Sequence, residues 1–98
     1  MPRNVSDAFW TAAHSKQFNL VQKEIENIVA DGYAATQILA KFMEDVLKEE
    51  KMDDGQKSQI LLKIAEADKM LCDGADEELQ LLNIGGHILA SLQRSQMP

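Results

Sequence analysis

The sequence IAEADKMLCDGADEELQLL, residues 64–82, places a glycine-containing corner between two amphipathic segments. Apolar residues recur at helical spacing before the corner and again from Leu79 onward. Gly74 can adopt the left-handed backbone conformation that commonly ends a helix. Asp76 and the two glutamates that follow it form an acidic first turn, which stabilises the start of a helix. We therefore predict that one helix ends at Gly74 and that another begins near Asp76.

Helical spacing continues through the rest of the chain, and no stretch of five or more residues alternates between apolar and polar as a strand would. The other predicted helices run from Ser6 or Asp7 to about Ser15, from a cap at Asn19 to Gly32, and from Ala35 to Leu47, and Asp53 or Asp54 caps the fourth helix. The links between helices hold about 2–6 residues, as between packed neighbouring helices. The predicted fold is all-α, a single five-helix bundle over residues 1–98.

The fifth predicted helix is apolar around most of its circumference. One stripe holds Leu79, Leu82, Gly86 and Leu89, and a broader neighbouring stripe holds Leu81, Ile84, Ile88 and Leu92. A helix of this kind is buried on several sides. Either the other four helices surround it, or a neighbouring subunit covers one of its sides. Under the second interpretation Ile84, Ile88, Leu92 and Leu81 lie at or near a subunit interface, while Leu79, Leu82 and Leu89 belong to the core.

Two other features mark places of close contact. Trp10 lies one helical step, about 100°, off the stripe formed by Val5 and Phe9. It either flanks the core or stands partly exposed, and because exposed Trp is enriched at binding hot spots, Trp10 is a further candidate interface residue. The pair Gly85-Gly86 costs a helix roughly 1 kcal/mol per glycine relative to alanine, which makes more sense where another backbone approaches closely.

The charge balance argues against a free-standing nucleic-acid binder. Ten Lys and Arg stand against 16 Asp and Glu, which gives a formal net charge of −6, whereas nucleic-acid affinity comes from cations that neutralise phosphates.

The single cysteine, Cys72, excludes an internal disulfide and suits a reducing compartment. We see no apolar run typical of a signal peptide or a membrane span. The expected setting is the cytosol or the nucleus.

No catalytic, cofactor-binding or metal site is predicted in this chain. His14 and His87 are the two histidines, and neither has Cys, Asp or His at metal-ligand spacing. The acidic stretch Asp73–Glu78 does not fit an EF-hand loop, because its glycine stands second rather than sixth. The glycine-lysine loop that binds nucleotide phosphates is absent from the sequence. The expectation is a chain without enzymatic activity.

Two motifs resemble a known family. The segments Ala67-Asp68-Lys69, Asp73–Glu77 and Leu79-Gln80-Leu81, together with Gly32–Gln37 upstream, are similar to the C-terminal domain of replication factor C small subunits. These proteins belong to the AAA+ clamp loaders. The order of the helices between the motifs also fits, so the resemblance extends from about residue 5 to residue 95.

The resemblance implies an oligomerisation domain of the clamp-loader collar type. Such a domain would be a fragment of a larger subunit and would join other replication factor C subunits in a heteropentamer. ATP and Mg²⁺ would bind in an ATPase region upstream. The sliding clamp and primer–template DNA would be contacted by the whole complex, in nuclear DNA replication and repair, with no direct DNA binding by this domain. The alternative interpretation is an unrelated all-α protein–protein interaction adaptor without enzymatic activity.

Overall fold

The computed structural model describes residues 3–95, with the side chains of residues 5–94, and over this range it is entirely helical apart from the connections. The five helices are α1 (Arg3–His14), α2 (Phe18–Ala30), α3 (Ala35–Lys48), α4 (Asp54–Cys72) and α5 (Glu77–Ser95). The prediction of an all-α, five-helix bundle is confirmed.

Local sequence signals explain most helix ends. Gly32 and Gly74 have φ values of 88° and 96°, so both glycines occupy the predicted left-handed conformation after α2 and α4. Asp53 caps α4, since its carboxylate accepts a hydrogen bond from the backbone N–H of Gln56 at 2.8 Å. The Gln56 side chain accepts one in return from the backbone N–H of Asp53 at 3.0 Å. This reciprocal pair is a capping box, which stabilises the first turn of the helix.

The start of α2 differs from the prediction. The helix begins at Phe18, and Gln17 is its cap residue, with an extended backbone and no side-chain hydrogen bond to the first turn. Asn19 therefore lies inside the helix, and the prediction that it caps α2 was wrong. Lys16, whose φ is 63°, directs the chain from α1 into α2. Backbone geometry, rather than a capping side chain, sets this boundary.

Helix α5 is the centre of the bundle, because it packs against each of the other four helices. The side chains of Ile84, Ile88 and Leu92 are completely buried. Around them lie the largest buried side chains of the other helices, which include Phe9 of α1, Val21, Ile25 and Ile28 of α2, Ile38, Leu39 and Phe42 of α3, and Ile64 of α4. The inner face of α5 is therefore enclosed by the other four helices of the domain, as the first interpretation predicts.

Gly85 fixes how α5 is rotated about its axis. A Cβ atom at Gly85 would lie 2.7 Å from Cδ1 of Ile25 and 3.0 Å from Cγ1 of Val21, so α2 packs directly on this glycine. The close approach predicted for the glycine pair therefore occurs at Gly85, although side chains of α2 rather than its backbone fill the space. Residues 81, 88 and 92 stand one or two turns from Gly85 on the same side of the helix and are buried with it.

The assignment of the two α5 stripes was wrong. Leu79, predicted for the core, is 61% exposed, and Leu82 is only partly buried. Leu89 is buried as predicted. Gly86 lies on the stripe that was predicted for the core, whereas the tight contact with α2 is made at Gly85. Neighbouring residues of a helix point in directions that differ by about 100°. A core contact at Gly85 rather than Gly86 therefore turns the inward face of α5 toward the second stripe.

Candidate functional site

The five residues predicted for a subunit interface lie in the core of the domain. Leu81, Ile84, Ile88 and Leu92 are at most 1% exposed, and Trp10 is 8% exposed. The Trp10 indole N–H donates a hydrogen bond to Oδ2 of Asp45 at 2.9 Å, and its ring packs edge-on against Phe9. Trp10 is therefore a residue of the core margin. In this conformation none of the five can form the contact surface of a neighbouring subunit, which corrects the predicted positions.

Of the seven large apolar side chains that are exposed among the described residues, three instead line one groove between three helices. Its apolar lining is Phe18 of α2, Met70 of α4, and Leu79, Leu82 and Gly86 of α5. We call this surface the α2–α4–α5 groove. Phe18 is 47% exposed and Met70 48% exposed, and the groove has a volume of about 800 Å³. Large apolar side chains that are this exposed at one place are typical of protein–protein contact sites.

Two glycines of the sequence shape the α2–α4–α5 groove. The left-handed Gly74 reverses the chain, so that Met70 near the end of α4 and Leu79 in the first turn of α5 lie at the same end of the bundle. A Cβ atom at Gly86 would lie 3.6 Å from Cε2 of Phe18, so the aromatic ring rests beside a helix surface that carries no side chain. The groove is therefore lined by residues from elements that are distant in sequence.

Polar groups and charges border the groove unevenly. Gln80, Asn83 and His87 supply its polar lining. The corner between α4 and α5 is acidic, and its exposed charged residues are Asp73, Asp76, Glu77 and Glu78. Asp76 also caps α5, since its carboxylate accepts a hydrogen bond from the backbone N–H of Leu79 at 2.8 Å. The apolar groove thus lies beside a strongly negative surface.

A second polar cluster links α1 to α3 and has a structural explanation. Asp45 accepts hydrogen bonds from the Ser6 hydroxyl and the Trp10 indole, and the Lys41 ammonium lies 3.5 Å from its other oxygen. At the end of the same two helices, Nε2 of His14 lies 3.3 Å from Oε2 of Glu49. Each of these polar groups has a partner within the domain, so the cluster joins two helices.

The described part of the chain contains no group of three or more His, Cys, Asp and Glu side chains that is arranged to hold a metal ion. Cys72 is exposed at the end of α4. Among residues 3–95, no helix combines the length and apolar character that crossing a lipid bilayer requires.

The candidate site is the α2–α4–α5 groove, and its chemistry is that of apolar contact beside negative charge. Sequence reasoning placed Leu79 and Leu82 in the core and therefore missed the groove.

Comparison with known proteins identifies the family. The model of the replication factor C C-terminal domain matches residues 2–87. Replication factor C subunit 4 of Arabidopsis thaliana is 42% identical over 94 residues, which are 94% of this chain and 27% of that protein. Subunit 2 of Oryza sativa subsp. japonica is 37% identical over 92 residues, 94% of this chain and 27% of that protein. Subunit 4 of Homo sapiens is 35% identical over 95 residues, 97% of this chain and 26% of that protein.

The chain spans about a quarter of the length of these curated relatives. Relatives numbered 4 and 2 both match the chain at similar identity. The matched range contains α1 to α4 and the first half of α5, which includes the Gly74 corner and all the apolar lining of the α2–α4–α5 groove. Because the family model covers far more than half of the sequence, the chain belongs to the replication factor C C-terminal domain family.

Proposed function

We propose that this chain is the assembly domain of a replication factor C-like clamp loader, which loads the sliding clamp on primed DNA in nuclear replication and repair. The observation that carries the proposal is the family match over residues 2–87. The closed helical core and the exposed α2–α4–α5 groove support it, because a domain that joins subunits needs a stable body and an uncovered apolar surface. The unrelated adaptor is not favoured, since it would not share this family's sequence.

The proposed partners are the other replication factor C subunits, which together form a heteropentamer. In this proposal ATP and Mg²⁺ bind in an ATPase region of the parent subunit, and this domain carries no enzymatic activity or cofactor. The clamp and the primer–template DNA are contacted by the complex as a whole. The net charge of −6 supports the absence of direct DNA binding, because a duplex repels a negatively charged domain.

Co-expression with the other replication factor C subunits tests the proposal. The tagged 98-residue chain is expected to co-purify with them in a defined stoichiometry and to co-elute as one species in size-exclusion chromatography. A matched control carries Ile88→Asp, which buries an unpaired charge in the core and removes the folded domain. Recovery of the parent chain alone, folded by circular dichroism but without any of these subunits, would contradict the assembly function.

A further inference from the structure

The α2–α4–α5 groove leaves large apolar side chains uncovered, and this exposure calls for an explanation. Leu79 is 61% exposed although Ile84, Ile88 and Leu92 of the same helix have no exposed surface. Phe18 stands at the first position of α2 with 47% of its surface exposed. Neither side chain contributes fully to the core, so each exposes apolar surface whose burial by a partner would be favourable.

The surroundings of the groove define the chemistry of that partner. Glu78 stands one helical turn before Leu82, and Asp73 stands three residues after Met70, so both acids flank apolar lining residues on their own element. The corner that carries them, residues 73–78, has no Lys or Arg and holds four acidic residues, which are Asp73, Asp76, Glu77 and Glu78. A partner that fits this surface carries Lys or Arg beside its apolar contact residues.

A second copy of this chain does not have that chemistry. In a two-fold symmetric dimer through the groove, the same acidic corner of each copy would lie at the interface. Two chains with a net charge of −6 each would then repel one another where their apolar groups meet. The charge distribution therefore favours a different chain over self-association.

We infer that the α2–α4–α5 groove binds a helix of a neighbouring replication factor C subunit, which lays an apolar face on Phe18, Met70 and Leu79 and places basic side chains against the Asp73–Glu78 corner. This inference rests on the proposed assembly function and adds to it the surface that is used and the charge of the partner. An amphipathic helix in an apolar groove between helices is a common recognition mode.

Paired variants test the groove without changing the fold. Leu79→Asp adds a charge to the groove, and Leu62→Asp adds the same charge to a leucine of α4 that is equally exposed, at 60%, and is not a lining residue. Met70→Asp and Met43→Asp form a second pair, at 48% and 40% exposure. Circular dichroism establishes that each variant is folded. The Met pair decides the question if either Leu variant fails to fold.

The readout is association with the co-expressed replication factor C subunits, measured by quantitative co-purification. Leu79→Asp and Met70→Asp are expected to weaken association at least about tenfold, whereas Leu62→Asp and Met43→Asp bind like the parent chain. If the groove variants associate normally, or if both members of each pair lose association alike, the groove is not the interface. Failure of the parent chain itself to associate is a different result and overturns the proposed function.

A charge reversal tests the chemistry of the partner. Glu78→Lys should weaken association several-fold at low salt, and the difference from the parent should shrink as salt is raised. Glu50→Lys, which makes the same charge change at an exposed residue between α3 and α4, should have no such effect. Stronger association of Glu78→Lys would overturn the basic partner. Analytical ultracentrifugation of the parent chain should show a monomer, and a dimer that Leu79→Asp dissociates would assign the groove to self-association instead.

Discussion

Gly85 and Gly86 are neighbours in the sequence but have different surroundings, and this difference gives a direct test of the packing between α2 and α5. At Gly85 an added methyl group would meet the buried side chains of Val21 and Ile25 at 3.0 and 2.7 Å. At Gly86 the nearest atom belongs to the ring of Phe18, at 3.6 Å, which is ordinary contact. The stiff, β-branched Val21 leaves the methyl group at Gly85 little room.

Gly86→Ala should therefore raise the free energy of unfolding by about 0.5–1 kcal/mol, since alanine loses less backbone entropy in a helix. Gly85→Ala should lower it by about 1 kcal/mol, because overpacking at a cost of about 1–3 kcal/mol exceeds the same helix gain. Urea denaturation followed by circular dichroism measures both variants against the parent. Equal effects of the two substitutions would show that α2 does not pack on Gly85.

Gly32 tests the left-handed helix end in the same way. No side chain would clash there, since nothing lies within 4 Å of a Cβ atom, but its φ of 88° is strained for any other residue. Gly32→Val should lower the free energy of unfolding by more than about 1 kcal/mol, because β-branched residues resist this conformation. Gly32→Asn is the matched control and should lose less, since Asn tolerates positive φ. If the valine variant melts with the parent, α2 does not end in this conformation.

At the scale of the helix, α5 divides into an inner face around Ile88 and an outer face that begins at Leu79. Ile88→Ala should cost about 2–5 kcal/mol, because it leaves a cavity at a side chain with no exposed surface. Leu79→Ala should change the free energy of unfolding by no more than about 0.5 kcal/mol, as expected of an exposed position. Denaturant midpoints compare the two, and a larger loss for Leu79 would restore the original stripe assignment.

Which parts of these elements could be predicted depends on whether the signal is local. The caps at Asp53, Gly32 and Gly74 are read from neighbouring residues, and the structure confirms them. The rotation of α5 is set by the contact of Gly85 with Val21, which lies more than sixty residues earlier in the sequence. Because glycine has no side chain, its hydropathy does not indicate whether it faces the core or the solvent. Trp10 is buried because Asp45 of α3 accepts its N–H, a pairing across 35 residues that no spacing within α1 reveals.

At the scale of the whole molecule, the charge of −6 governs behaviour toward nucleic acid. The chain should bind primed DNA only weakly and with little dependence on salt, because it has few cations to displace condensed counterions. Fluorescence anisotropy with labelled primer–template DNA at about 50 and 200 mM salt measures this. Nanomolar affinity with a steep salt dependence would reveal a basic DNA-contact face and contradict a purely assembling role.

The central place of α5 has a consequence for how the protein is made. Synthesis proceeds from the N-terminus, so α1 to α4 leave the ribosome before the helix around which all of them pack. A nascent chain at that stage has apolar faces without their common partner, and domains of this kind fold as a unit once complete. A chain that stops at Asp76 should therefore be sensitive to protease and lack a cooperative melting transition, whereas the full chain should resist the protease and melt cooperatively. The release of α5 thus sets the earliest moment at which the domain can fold.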